Sequence, residues 1–252
     1  MTRVNERRSR SNMGKKKTNK KPNAKQSPPS QRVMGWTLVV ILLVCVGAIF
    51  YKAASGPQTG QVVNDEVFEY DQQPALGSND APVKMVGFAD FKCPSCKAFD
   101  EEILPLIKKD FIDNGTVQYY FVNYPIISPN GDSTTAALAA EAIYNQNPEE
   151  FWKFHDAVFT NQKDERQSWA TPEYLIQVAQ EAKLAIDFDL LKKDIEEKTY
   201  ADQVKLDTSI GNKAGIRGTP TIFINGKELS IHETFDYEAI KSAILQAKDN
   251  TP

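Results

Sequence analysis

Three hydrophobic patterns succeed one another along the chain, and each predicts a different kind of element. Between Val33 and Tyr51 runs VMGWTLVVILLVCVGAIFY, which carries no charge. A stretch of this length is what a helix needs to cross about 30 Å of hydrocarbon. From Pro82 the pattern shortens: PVKMVGFADF is strand-like, and the CPSC that follows at Cys93 opens a series of apolar positions at helical spacing through about Phe111. VQYYFVNY is then a second strand.

A long region with repeated helix-start chemistry comes next. Asp132-Ser133 precedes TTAALAAEAIY, Asn147-Pro148-Glu149-Glu150 precedes FWKFHDAVF, and Thr171-Pro172-Glu173 precedes YLIQVAQEA. Each offers a side-chain cap, and two place Pro at the first helical position ahead of acids that suit the positive end of a helix. Asp187 is read as the start of another helix. TIFI, the turn pair Asn225-Gly226 and KEL form a hairpin signal, and a last helix covers about Tyr237 to Ala247. The order is strand, helix, strand, several helices, hairpin, helix. That is an α/β domain over residues 74–250, with a helical insertion at about 131–214. Residues 52–73 read as a linker, with VFEY as a candidate short strand inside it.

Charge adds a direction to this layout. The net charge of −3 conceals +10 on residues 1–32, with 11 Lys/Arg against the single acid Glu6, and −13 on the remainder. The basic tail has almost no large apolar residues, so it is expected to be disordered and to stay in the cytoplasm, with Val33–Tyr51 as a single transmembrane anchor and everything after it outside. A cleaved signal peptide, with Ala53-Ala54-Ser55 as the small residues before the cut, is the competing reading. Both export the CPSC stretch to an oxidising compartment. Cys45, within the apolar run, reads as an apolar-compatible membrane residue. The tail's charge is explained by topology without any nucleic acid, which is not an expected partner.

The remaining two cysteines carry the chemistry. A metal site would need more ligands than one CxxC supplies, and the chain has only His155 and His232 to add, widely separated. A structural bridge this short closes almost no loop and removes little unfolded-state entropy. Redox exchange remains. A strand leading into a helix at CPSC sets the Cys93 sulfur among unpaired N–H groups at the positive helix end, which favours thiolate, and Lys92 and Lys97 add positive charge nearby. Cys96 lies one turn on, followed by Phe99, Ile103, Leu106 and Phe111, so it is expected on the buried face with Cys93 exposed. Pro105 is expected to kink this helix.

Strand, C-P-S-C, interrupting helices and then GIRGTPTIFING at Gly215–Gly226 together resemble the thioredoxin superfamily. The closer resemblance is to DsbA-type thiol:disulfide oxidoreductases with a helical insertion, and the anchored form is similar to the Gram-positive BdbD-like branch. The resemblance implies that Cys93 and Cys96 are the catalytic pair, supported by Pro94 and Ser95. It also implies that Thr219 and Pro220 share a cis bond facing both sulfurs, which leaves the Thr219 backbone free to pair with an extended substrate. It further implies disulfide donation to thiol-containing exported proteins and reoxidation by a quinone-linked membrane partner of the DsbB type. No cofactor is expected and no metal at the cysteines, while a structural cation elsewhere stays open.

Two features depart from the pattern. The buried acid that thioredoxins and many DsbA relatives carry six residues before the first cysteine is Gly87 here, so proton transfer to Cys96 must use water or another group, Asp90 among the candidates. Thr before the cis proline is shared with isomerases, although residues 52–73 are too short for the separate dimerisation domain of that type. A reductase or isomerase on the same scaffold therefore stays open, as does a tethered peptide-binding or chaperone-like module. The aromatic set Trp152, Phe154, Phe159, Trp169 and Tyr174 reads as core of the insertion. His155 and His232 show no partner pattern, and there is no phosphate loop or Ser/His/Asp arrangement.

Overall fold

The structure is a computed structural model that describes residues 60–250, together with residue 41. The expected tail, residues 1–32, lies outside the described residues, and so does the expected anchor, Val33–Tyr51, apart from residue 41. Among the described residues no helix is long and apolar enough to cross a membrane.

Among the described residues five strands form one sheet in the order β1-β3-β2-β4-β5, where β1 is Ala75–Leu76, β2 Val83–Ala89, β3 Val117–Asn123, β4 Thr221–Ile224 and β5 Lys227–Glu228. The central pair, β2 and β3, is parallel, with Gly87 opposite Phe121, and the remaining pairings are antiparallel. Both central strands are almost wholly buried, as expected for parallel strands covered on two faces. Their side chains alternate between the faces. Val83, Met85, Val117 and Tyr119 face a core with Phe99, Ile107, Ile240 and Ile244, whereas Val86, Phe88, Tyr120 and Val122 pack with Phe68 and Ile210.

The helical run after β2, here α1, is continuous from Pro94 to Ile112 but changes register twice: α-helical over Pro94–Ala98 and Leu104–Ile107, π-helical over Phe99–Ile103 and Lys108–Ile112. Pro105 sits in the short α segment between the two wider turns, which accommodate the missing N–H. Each π turn takes in an extra residue and rotates the buried face. Phe99, Ile103 and Phe111 are buried as expected, but Leu106 is 43% exposed and Ile107 takes its place in the core.

The insertion holds α2 (Asp132–Gln146), α3 (Pro148–Thr160), α4 (Pro172–Glu181), α5 (Phe188–Glu197) and α6 (Ala201–Lys213). Asn147, Thr171 and Asp187 cap α3, α4 and α5 with side-chain hydrogen bonds. Asp132 does not cap; it is the first residue of α2 and its carboxylate serves another purpose, described below. Phe154, Phe159 and Trp169 are buried in the insertion core, with Trp152 and Tyr174 partly buried against it. The chain returns through β4 and β5, joined by Asn225 and Gly226, both at positive φ as a two-residue hairpin turn requires, and closes with α7 (Ile231–Thr234) and α8 (Tyr237–Asp249).

The expected linker up to residue 73 is corrected. Residues 60–73 belong to the folded unit: Val62 bridges Lys227, Asp65–Phe68 forms a 3-10 turn rather than a strand, and Phe68 is completely buried against Phe88 and Phe223. An aromatic ring of that size stabilises the domain by roughly 1.5–3 kcal/mol on burial, which ties this segment down.

Candidate active site

The site sits where the sheet meets the insertion core, since Cys93 and Cys96 pack in the same cluster as Phe91, Phe121, Phe154 and Phe159. After β2 ends at Ala89, Asp90 shapes the approach. Its carboxylate accepts the backbone N–H of Lys92 (2.9 Å), Ile126 (2.9 Å) and Ile127 (2.8 Å), and its carbonyl accepts the N–H of Cys93 (2.9 Å). So Asp90 fixes the turn, with its carboxylate committed to three backbone N–H groups. Gln162, just after α3, clamps the turn from the other side by donating to the carbonyls of Phe91 (2.8 Å) and Cys93 (3.0 Å).

Cys93 is the N-cap of α1 and Pro94 its first helical residue, so its sulfur lies near the backbone N–H groups of Ser95 and Cys96, the latter also donating to the Cys93 carbonyl (3.1 Å). Pro94 and Ser95 are exposed, and they form the outer surface of the turn. The Thr219–Pro220 peptide is cis, and Cys93 Sγ lies 3.3 Å from the Thr219 carbonyl oxygen. The Thr219 hydroxyl is buried without a hydrogen bond of normal geometry, close enough to both sulfurs to favour their thiolates. Pro220 lines the space beside Cys96. All six residues singled out in the sequence thus converge on one turn.

Both cysteines are free thiols, and both residues are buried, Cys93 at 6% exposure and Cys96 at 2%. The expected contrast of an exposed and a hidden sulfur is therefore replaced by a contrast in acidity. The Cys93 thiol is lowered to about 6, first by the hydrogen bond from the Cys96 thiol and then by the Thr219 hydroxyl and the two helix N–H groups, against the opposing effect of burial. Cys96 is held well above the ordinary thiol range by burial and by the developing charge on Cys93. The lysines take no part. Lys92 is buried, donating to Asp132 (2.6 Å) and to the Gln167 carbonyl (2.9 Å), while the second Asp132 oxygen accepts the N–H of Trp169 and Ala170. Lys97 turns away to the Thr160 carbonyl and Glu101. Asp132 thus anchors the residue before Cys93 to the insertion.

Sequence reasoning passed over the groups beneath Cys96. Asp100, one turn along α1, Tyr119 from β3 and His155 from α3 line a small cavity with Cys96, Gly87 and Pro220. Asp100 had a usable signal in its spacing of four residues from Cys96; His155, on a distant helix, had none. The space an acid at position 87 would enter is filled, because a Cβ there would come within 2.2 Å of the Tyr119 hydroxyl. A second buried polar cluster lies away from the sulfurs. Asn123 donates to Glu141 (2.8 Å) and Asp207 (3.2 Å), Gln73 donates to Asp207 (3.0 Å), and the amide oxygens of Gln73 and Asn123 have no partner. Burial and mutual repulsion raise Glu141, and burial raises Asp207, above the usual carboxylate range, leaving an all-oxygen set that suits a shared proton or a hard cation.

A parallel-centred sheet, a C-P-S-C helix start and a facing cis-proline define a thioredoxin-fold dithiol protein. The family model described as Thioredoxin matches residues 69–246, and the chain belongs to that family, within the DsbA-type thiol:disulfide oxidoreductases of the BdbD-like branch. It is 36% identical over 211 residues to the probable disulfide bond formation protein D of Bacillus anthracis, covering 84% of this chain and 93% of that one. With disulfide bond formation protein D of Bacillus subtilis it shares 42% over 172 residues, 68% of this chain and 75% of that one. The crystal structure of oxidised BdbD from Bacillus subtilis superposes with a TM-score of 0.69 at 38% identity, over 76% of this chain and 98% of that one. This chain is a thiol:disulfide oxidoreductase.

Proposed function

We propose that the chain is a membrane-tethered disulfide oxidase that works outside the cytoplasm through Cys93-Pro94-Ser95-Cys96. Residues 1–32 remain in the cytoplasm, Val33–Tyr51 spans the membrane, and the domain from residue 60 onward faces exported proteins. The observation that carries the reading is the placement of Cys93 as N-cap of α1, 3.3 Å from the carbonyl of the cis Thr219–Pro220 peptide, with Cys96 buried one turn behind it, an arrangement that draws the Cys93 thiol down to about 6 and holds Cys96 well up. A thiolate stabilised at Cys93 exists only in the reduced enzyme, so the same interactions make the disulfide the more oxidising form.

A substrate thiolate attacks Cys93 of the enzyme disulfide. The Cys93–Cys96 bond breaks, Cys96 leaves with the electron pair, and a mixed disulfide forms on Cys93. A second substrate thiolate then attacks the substrate sulfur of that bond, and Cys93 departs as a stable thiolate. The substrate is oxidised and the enzyme is left as the dithiol. Reoxidation falls to a quinone-linked membrane partner of the DsbB type. Replacing Cys96 by Ser removes the enzyme disulfide, so oxidation of substrate thiols should cease while Cys93 still takes a lasting mixed disulfide from oxidised glutathione, on a domain that external protease releases from protoplasts. Adducts on Cys96 in the Cys93→Ser protein instead, or a domain that external protease cannot reach, would overturn the reading.

A further inference from the structure

Cys96 is the sulfur with a proton problem. It leaves as a thiolate when the enzyme gives up its disulfide, and it must lose a proton when the disulfide is rebuilt, yet burial and Cys93 hold its thiol form. Neither sequence candidate offers an uncommitted acid: position 87 is a glycine capped by the Tyr119 hydroxyl, and the Asp90 carboxylate already accepts three backbone N–H groups.

Beside Cys96 lies a cavity of about 10 Å3, close to the volume that accommodates one water. Its polar lining is Cys96, Asp100, Tyr119 and His155; its other walls include Phe99, Phe121, Phe159 and Pro220. Asp100 Oδ1 is 3.4 Å from His155 Nδ1, and the Asp100 side chain is 11% exposed. The histidine is itself fixed, packed edge-on against Phe121, Phe159 and Trp152 and bonded at 3.0 Å to the exposed carboxylate of Asp156. The carboxylate therefore shares one small cavity with a caged imidazole and with Cys96.

We propose that Asp100, positioned by His155, exchanges the proton of Cys96 through a water in this cavity, so that the relay of this chain is carried on α1 rather than at position 87. This rests on the dithiol reading above. In the rebuilding step a disulfide oxidant has formed a mixed disulfide with Cys93. Cys96 Sγ attacks Cys93 Sγ, the bond to the oxidant's sulfur breaks, that sulfur takes the electron pair, and the Cys96 proton passes through the water to Asp100. In the donating step the same proton returns to the departing Cys96.

The charged groups around Asp100 set its range. Burial raises it most; His155 on α3 lowers it, Asp156 on α3 and Glu101 on α1 raise it, and the result is about 6, while Tyr119 on β3 stays protonated in the same space. Lys97 is engaged by Glu101. A group poised near operating pH is suited to moving a proton both ways.

The test is stopped-flow oxidation of the reduced protein by oxidised glutathione from pH 5 to 8. The first phase depends on glutathione and reports Cys93; the second does not and reports attack by Cys96. In the wild type the second phase should rise through an inflection near 6. Asp100→Asn should slow it by about tenfold or more and remove the inflection, since general acid–base groups contribute about 10²-fold or more. His155→Asn should move the inflection upward, a change that loss of packing alone does not produce. If Asp100→Asn fails to fold, Asp100→Ala is measured with and without formate, and restoration of the second phase by formate is the expected result. An unchanged rate and inflection in folded Asp100→Asn, or no formate response in Asp100→Ala, overturns the relay. Absence of the first phase in the wild type would overturn the dithiol reading itself.

Discussion

The mouth and the floor of the active-site turn are one helical turn apart and are built on opposite principles. At the mouth, Cys93 meets the Cys96 thiol, the nearby Thr219 hydroxyl and the helix N–H groups of Ser95 and Cys96, all of which favour its charged form. At the floor, Cys96 meets aromatic walls and one carboxyl, and its charged form is opposed. Exposure does not separate them, because both residues are buried. The difference teaches that a reactive thiol here is made by hydrogen-bond donors rather than by access to solvent or by nearby lysines.

Breaking the anchor of the turn should have the largest effect. Asp132→Asn leaves the buried Lys92 ammonium without its carboxylate, and removing one partner of a buried pair costs about 3–5 kcal/mol. Denaturant midpoints would read that loss. Because Lys92 does not act on Cys93, the alkylation midpoint of Cys93 in the folded variant should stay near its wild-type value. Crowding the floor comes next. Gly87→Ala drives a methyl group into the Tyr119 hydroxyl and should cost about 1–3 kcal/mol, part of which Tyr119→Phe in the same chain should restore. The smallest change is at the mouth: iodoacetamide should react with Cys93 with a midpoint near 6, and Thr219→Val should move that midpoint upward while leaving Cys96 unreactive.

What could be read from the sequence was what short-range chemistry decides. The caps Asn147, Thr171 and Asp187, the Asn225-Gly226 turn, and the two central strands with the helix that follows CPSC all depend on neighbours within a few residues. Asp132 looked like one more cap because its real partners, Lys92 and the Trp169 backbone, are 40 and 37 residues away. Leu106 was misplaced because the two π turns shift the apolar face, which a constant helical period does not anticipate. The helix Ala201–Lys213 went unseen for lack of an apolar stripe: its buried positions are Val204, Asp207, Ile210 and Gly211. β1 has only two residues, too few for any pattern. In the site, the cysteines and Thr219-Pro220 announce themselves, and Asp100 stands four residues from Cys96, but His155 acquires a meaning only once α3 is laid beside α1.

The direction of disulfide flow is the central claim, and the relative stability of the two redox forms tests it most directly. Cys93 has a lowered value in the folded dithiol, so its contribution is complete above the unfolded thiol range, near 8.5, and is lost as pH falls through about 6. Each pH unit of that lowering contributes up to about 1.4 kcal/mol to the reduced form and nothing to the oxidised one. Guanidinium unfolding of both forms, with matched slopes, should therefore give a higher midpoint for the dithiol at pH 7.5, with the gap narrowing toward pH 5.5. A disulfide form that unfolds later than the dithiol at pH 7.5 would contradict the account and mark the protein as a reductase.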